Sequence, residues 1–282
     1  MEKVEIERQR EMKVVKSNEM IRKGRFNLSV VEQRIILYMI TKIMPGDTGI
    51  KTVRFDIREF CEVCGIAYQQ NLSQLKQNIQ MLADKSMWVK LPNGKQTLIR
   101  WIAKPTITED DGAGVLEIRL DEDLTPYLIN LANNFTEYQL ISVLAMKSKY
   151  SVKLYELLKS YCFLGEYSTS LEDIREYLQV GTKYPESKYF NKYVLDKAID
   201  EINRFTDIEA SYTTERTGRT ISRYRFRIMA QETCDFVMAR AVLAKRLPSR
   251  HKQEQEFKAF IQQYDPMKDQ MSIFDEEGRT DE

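Results

Sequence analysis

The chain has one histidine in 282 residues, His251, set among Arg250, Lys252 and Gln253 in a polar segment. A single imidazole excludes the paired-histidine metal site that some DNA-nicking enzymes use with a tyrosine nucleophile, and nothing suggests a serine or cysteine triad. Cysteine is almost as scarce. Cys61 and Cys64 form a lone C-x-x-C, while Cys162 and Cys234 have no partner at ligand spacing, so structural thiols and no metal are expected. No Gly-x-x-x-x-Gly-Lys-Ser/Thr occurs, which removes a Walker-type nucleotide site, and no cofactor is implied. The chain also lacks any apolar run of about 18 residues, and Val4 to Val15 is too charged for an export signal. These absences point to a non-enzymatic, cytoplasmic protein with thiols kept reduced.

What is present is charge. Lys and Arg number 43 against 42 acids, for a net charge of +1. That balance hides an asymmetry: Asp265 to Glu282 holds seven acids against Lys268 and Arg279. The remaining body is therefore basic, which suits a polyanionic partner. Hydrophobic residues make up 43% of the chain, enough for two small cores at this length.

A five-residue phrase occurs twice, Asp56-Ile57-Arg58-Glu59-Phe60 and Asp173-Ile174-Arg175-Glu176-Tyr177. Similar apolar punctuation follows each copy, which suggests tandem duplication of one small domain. In the first copy, Ser29 and Glu32 are spaced as a capping box, and Val31, Ile35, Ile36, Met39, Ile40 and Ile43 form a wide apolar stripe to Met44. Thr52 to Phe55 alternates as a strand, Asp56 caps a brief helix ending at Gly65, and Asn71 opens a third helix carrying Leu72, Leu75, Ile79 and Leu82. Trp88 to Leu91 and Thr97 to Ile102 alternate around Pro92-Asn93-Gly94-Lys95, a strong hairpin signal. Helix, strand, helix, helix, hairpin is the order of a winged helix-turn-helix.

The second copy repeats the order. Thr136 and Gln139 suggest a capped helical stretch over Tyr138 to Leu164 with a break near Ser148, a short helix carries the repeated phrase, and Ser187 to Phe205 forms the third helix. Ile208 to Tyr212 and Ile221 to Ile228 then read as a hairpin around Gly218-Arg219. The expected fold class is α+β, two pseudo-symmetric winged helix-turn-helix domains with flexible extensions at both ends. The expected segments are a flexible arm over 1–24, a supporting and dimerising domain over 25–130, the main DNA reader over 131–230, a helical extension over 231–264 and an acidic disordered tail over 265–282.

A winged helix places its third helix in the major groove and its wing along the backbone. With Leu195 turned inward, Tyr189, Tyr193 and Lys197 fall on the far side and Lys192 on the flank. Lys183, Tyr184 and Lys188 sit at the preceding turn, Asn191 beside them, and Arg216, Arg219 and Arg223 on the wing. The cations suit phosphates, while Asn191, Lys192 or the tyrosines suit base edges. The first copy offers Asn71, Ser73, Gln74 and Lys76 on its helix and Lys95 in its hairpin, a weaker footprint that suggests unequal roles. Each such residue also has a plain reading as part of a solvated polar face.

Two stretches carry a family resemblance. Lys147-Ser148-Lys149-Tyr150-Ser151-Val152-Lys153-Leu154-Tyr155-Glu156 and Phe190-Asn191-Lys192-Tyr193-Val194-Leu195-Asp196-Lys197-Ala198-Ile199, with the opening Asn27-Leu28-Ser29, closely resemble iteron-binding plasmid replication initiators. The resemblance implies two winged helices that bind repeated origin sequences as a monomer, and a dimer, joined through the first domain, that represses its own gene and bears on plasmid copy control. It also implies contact with host helicase-loading machinery. Apart from the resemblance, Lys149 and Lys153 lie one turn apart on one helix face and, with Lys147, are placed to contact phosphates beside the third helix. The Asn191-Lys192-Tyr193 stretch is less basic than is usual in the family, so a different target sequence is expected.

In the tail, Gln270-Met271-Ser272-Ile273-Phe274 resembles the pentapeptide by which bacterial replication proteins dock on the sliding clamp. A chance match is an equal reading. Two other functions stand beside that of an initiator: a winged-helix repressor with no origin role, and a tyrosine-dependent nicking enzyme.

Overall fold

Residues 3–23, expected as a flexible arm, instead form α1 (Lys3–Arg10), β1 (Lys13–Ser17) and α2 (Asn18–Lys23) in the computed structural model. It describes residues 3–246 apart from 45, 67, 91–94, 111–112, 232–233 and 235. The N-terminal segment is ordered by partners far along the chain. β1 pairs antiparallel with residues 135–139, from Lys13 opposite Gln139 to Ser17 opposite Phe135. Arg10 donates to the Val63 and Glu62 carbonyls at 2.9 and 2.8 Å, and Arg22 to the Ser160 carbonyl at 2.5 Å. This charged stretch is held by these polar contacts together with the burial of Val14, Met20 and Ile21.

The first winged helix begins at α3 (Val30–Ile40), with the expected capping box of Ser29 and Glu32. β2 (Thr52–Asp56), α4 (Ile57–Cys64) and α5 (Tyr68–Ala83) follow. Tyr38, Phe55 and Phe60 meet edge-on or tilted in its core, with centroids 5.2 to 5.6 Å apart. β3 (Ser86–Lys90) and β4 (Gln96–Arg100) form a separate hairpin, and β5 (Ile102–Asp110) and β6 (Ala113–Leu120) form another. β2 pairs with β6, and β6 with β5. The wing of this domain is thus β5–β6, and the hairpin expected to be the wing is an insertion before it. The Asn-Gly signal marks a hairpin correctly but carries no information about which strands join β2.

A single turn over Glu122–Leu124 leads through α6 (Thr125–Leu128) to β7 (Phe135–Gln139), the partner of β1. The helical stretch expected from Tyr138 to Leu164 breaks at Ser148 as read, but its start is a strand end, followed by α7 (Ile141–Leu144), α8 (Lys149–Ser160) with Ser148 as its cap, and a turn over Cys162–Leu164. Thr136, read as a helix cap, instead donates to Asn18 across the β1–β7 junction at 2.6 Å.

β8 (Glu166–Ser170), α9 (Leu171–Leu178), α10 (Ser187–Phe190), a wider turn over Asn191–Leu195, α11 (Asp196–Phe205), β9 (Ile208–Thr217) and β10 (Thr220–Ala230) complete the second winged helix. β10 lies between β8 and β9, as β6 lies between β2 and β5. Element by element the two domains align in sequence register through β2 and β8, the caps Asp56 and Ser170, and the left-handed ends Gly65 and Gln179, all 114 residues apart. The repeated phrase is 117 residues apart and so lies out of register by three. Positions i and i+3 share a helix face, so the slipped copy still buries its Ile and aromatic. Phe60, Ile174 and Tyr177 are all buried.

α12 (Val237–Arg246) occupies the described part of the expected extension over 231–264. Arg246 donates to the Leu144 carbonyl at 2.8 Å and also to that of Ala145, while Arg240 pairs with Glu7 and Glu11. The acidic tail and its Gln270 to Phe274 pentapeptide lie outside the described residues, as do His251 and the Asn93-Gly94 turn. No described helix is long and apolar enough to cross a membrane.

Buried charge ties the N-terminal strand β1 and the first winged helix to the second half of the chain. Lys16 of β1 meets Glu156 of α8 at 2.8 Å, with side chains 3% and 4% exposed, and Tyr138 donates to the same carboxylate at 2.6 Å. Arg34 of α3 donates to the Leu144 and Met146 carbonyls at 2.8 and 2.9 Å, and burial lowers its pKa to about 10.

Candidate DNA interface

Phe190, Val194, Leu195, Ala198, Ile202 and Phe205 are buried along the third helix of the second domain, while Lys188, Tyr189, Lys192, Tyr193 and Lys197 are exposed. The helix thus supplies one apolar face and one face of cations and phenols. Tyr193 is central on that outer face. Its ring stacks 6.1 Å from Tyr189 at an interplanar angle of 15° and lies 5.7 Å from Tyr184. The Lys192 and Lys197 ammonium groups lie 5.4 and 5.5 Å from its centroid, within cation–π range.

The turn ahead of the helix is set by Arg175 of the repeated phrase. Arg175 donates to the carbonyls of Tyr184, Gly181 and Lys183 at 2.8, 3.1 and 2.8 Å. Tyr184 has φ +52, a left-handed conformation that an L residue adopts only when its surroundings hold it. The three bonds from one guanidinium provide that hold, leaving the Lys183 side chain exposed beside the helix start.

On the wing, Arg216, Arg219 and Arg223 are exposed, and Gly218 makes the turn with φ +62. Arg223, Arg225 and Arg227 alternate with buried Tyr224, Phe226 and Ile228, so the three cations share one face of β10. Arg225 is paired with Glu215 at 2.7 Å.

Other expected contacts are placed differently. Lys153 is 3% exposed; its Nζ donates to the Phe26 and Tyr177 carbonyls at 3.0 and 2.6 Å and sits 4.1 Å from the Phe26 ring centroid. It cannot reach a phosphate, and burial lowers its pKa to about 7. The i, i+4 spacing from Lys149 suggested a shared outer face, yet α8 is covered on that side by residues 25–28. Lys149 is half-buried and donates to Asn27 at 2.5 Å. Its pKa is lowered by burial and then by the nearby Lys183 and Lys85, which places cations of both domains within one another's field. Lys147 is exposed, and its backbone N–H, with that of Ser148, is capped by Glu201. The Asn191 Oδ1 accepts from the Tyr224 hydroxyl at 2.6 Å, which ties this expected base reader to the wing.

In the first domain, Ser73, Gln74 and Lys76 are exposed on α5. Asn71 also lies on α5, its side chain outside what the structure describes. Lys95 precedes β4 of the inserted hairpin and is therefore not on the wing. Among the described residues no group of acids, cysteines or histidine is arranged to hold a metal ion. Cys61 and Cys64 are buried, and burial raises the Cys64 pKa to about 12, so neither is a ready thiolate.

Comparison with known proteins agrees with this architecture. The family description "Initiator Replication protein, WH1" matches residues 13–159, and "Initiator Rep protein, WH2" matches residues 170–228. An Escherichia coli replication initiation protein is 22% identical over 237 residues, 80% of this chain and 72% of that one. The Escherichia coli PI protein is 31% identical over 153 residues, 48% of each chain. A crystal structure of the Pi initiator protein in complex with iteron DNA shares the fold at a TM-score of 0.64 and 21% identity, covering 79% of this chain and 99% of that one. With both winged-helix regions matched in order along its length, the chain belongs to the initiator replication protein family.

Proposed function

We propose that this protein initiates plasmid replication by binding repeated origin DNA through its second winged helix. The single observation that carries the reading is the outer face of that helix, where Lys188, Lys192 and Lys197 surround exposed tyrosines beside the Arg216, Arg219 and Arg223 wing. Such a set neutralises phosphates on both sides of a groove and leaves phenols and amines at the base edges. The similar Pi initiator was crystallised with iteron DNA, which fits a repeated target here. Recruitment of helicase-loading proteins, repression of its own gene, self-association through residues 25–130, clamp docking through Gln270 to Phe274 and action in the cytoplasm complete the proposal.

Seven cations, Lys183, Lys188, Lys192, Lys197, Arg216, Arg219 and Arg223, predict a slope of log K against log salt of about −6 for duplex binding. The test is Lys192→Ala with Arg219→Ala. The double variant should lose about two units of that slope, together with affinity. An unchanged slope would place the contact face elsewhere. Incubation with supercoiled origin plasmid and Mg2+ separates the nicking reading, which predicts relaxed plasmid or a covalent tyrosine adduct. A repressor without an origin role would not support replication of a plasmid carrying only this gene and its neighbouring repeats.

A further inference from the structure

The recognition helix is not uniform. Between α10 and α11 the backbone N–H of Asp196 donates to the Asn191 carbonyl, five residues back, so one turn is wider than an α turn. Both ends of that turn are tied to the wing. Tyr224 of β10 donates to Asn191 at 2.6 Å, and Tyr212 of β9 donates to Asp196 at 2.6 Å. Burial raises both tyrosine pKa values, that of Tyr224 to about 12, so each hydroxyl keeps the proton it donates.

The wide turn changes which side chains line up. In an α-helix, residues four apart are offset by about 40° around the axis. One extra residue in the turn reduces that offset, bringing i and i+4 closer to one line. Tyr189 precedes the wide turn and Tyr193 lies within it, and their rings are stacked nearly parallel. Lys197, four further on, sits beside the same ring.

We infer that Tyr212 and Tyr224 are specificity-determining positioning residues: from the two wing strands they hold the wide turn that aligns Tyr189, Tyr193 and Lys197 into one reading row. The inference rests on the proposed DNA-binding function and deepens it. It makes the wing more than a phosphate clamp, because displacement of either strand on DNA is transmitted to the row through a hydroxyl. Neither tyrosine needs to touch the nucleic acid.

The test is selection of binding sites from a randomised duplex pool by the full chain, with wild type, Tyr212→Phe, Tyr224→Phe and the double variant in parallel. Phenylalanine keeps the ring packing and removes only the hydroxyl. The wild type should recover a defined motif. The double variant should lose tenfold or more in its preference for that motif over mixed-sequence duplex, with mixed-sequence affinity and salt slope unchanged. A merely structural role would lower both affinities together, and a wild-type preference in the double variant would also overturn the inference. Asp196, exposed on the helix, gives a second arm. Asp196→Asn keeps an acceptor for Tyr212 and should retain the preference, whereas Asp196→Ala should weaken it; equal behaviour of the two overturns the role of Tyr212. If the wild type recovers no motif, the proposed sequence-specific function fails, independently of these tyrosines.

Discussion

Replacing Lys153 by methionine distinguishes a buried structural amine from a phosphate contact. The Lys153 ammonium is held by the Phe26 and Tyr177 carbonyls, and its neighbouring charges are Arg25, Glu156, Lys16 and Lys149. Methionine fills a similar volume and leaves those two carbonyls without their donor, at about 1–3 kcal/mol each if no water replaces it. The pH dependence is more diagnostic. In the folded protein the lysine pKa is about 7 against an ordinary 10.5, so between these values the unfolded chain binds more protons. Stability of the wild type therefore rises with pH through that window, by up to ~1.4 kcal/mol per unit, and the full penalty of the buried charge is felt below it. The methionine variant lacks this dependence. From pH 7 to pH 9 the wild type should gain about 2 kcal/mol relative to the variant, measured by urea unfolding at each pH. The other titrating groups are common to both proteins. Parallel curves would refute the buried-ammonium reasoning, and a reduced salt slope for DNA binding by the variant would restore Lys153 to the interface.

Three further outcomes are expected. Lys16→Met leaves Glu156 buried without its cation and should cost about 3–5 kcal/mol, while Lys16→Met with Glu156→Leu should recover a large part of that loss; a double-mutant cycle in urea measures it. Removing residues 1–23 deletes β1 and its pairing with β7, so the truncated protein should unfold at lower urea concentration than the full chain; an unchanged midpoint would return this segment to the role of an arm. Lys95→Ala should leave the salt slope of DNA binding within error, since Lys95 precedes the inserted hairpin strand β4 and not the wing, whereas Arg219→Ala should lower it by about one unit.

Local chemistry was the legible part of the fold. The Ser29–Glu32 box, the Asp56 cap, the third helix over 187–205 and the alternating arginines of β10 all follow from signals within a few residues. Pairings between distant segments were not legible. β1 finds β7 across more than 100 residues of chain, and β2 finds β6 past an inserted hairpin, so neither the ordering of the N-terminus nor the pairing of the first wing had a local signature, although Val115 to Leu120 alternates as a strand. The duplicated phrase led to the right architecture through residues that are not equivalent, because a three-residue slip preserves the buried face of a helix. At the site, exposure of Tyr189, Lys192, Tyr193 and Lys197 could be read from helical period. Burial of Lys153 could not, since its cover comes from residues 25–28. The Tyr212 and Tyr224 hydroxyl contacts were likewise invisible: strand alternation orients a tyrosine inward but does not name its acceptor.

The central claim is that the second winged helix reads sequence in duplex DNA. It is tested most directly by the affinity of the full chain for duplex from the region flanking its own gene, compared with mixed-sequence duplex of equal length at physiological salt. The account predicts a preference of about 10³ or more for one repeated element in that region, lost on changing Lys192 and Arg219 to alanine. Equal affinity for both duplexes, or a preference that survives that double change, would contradict it.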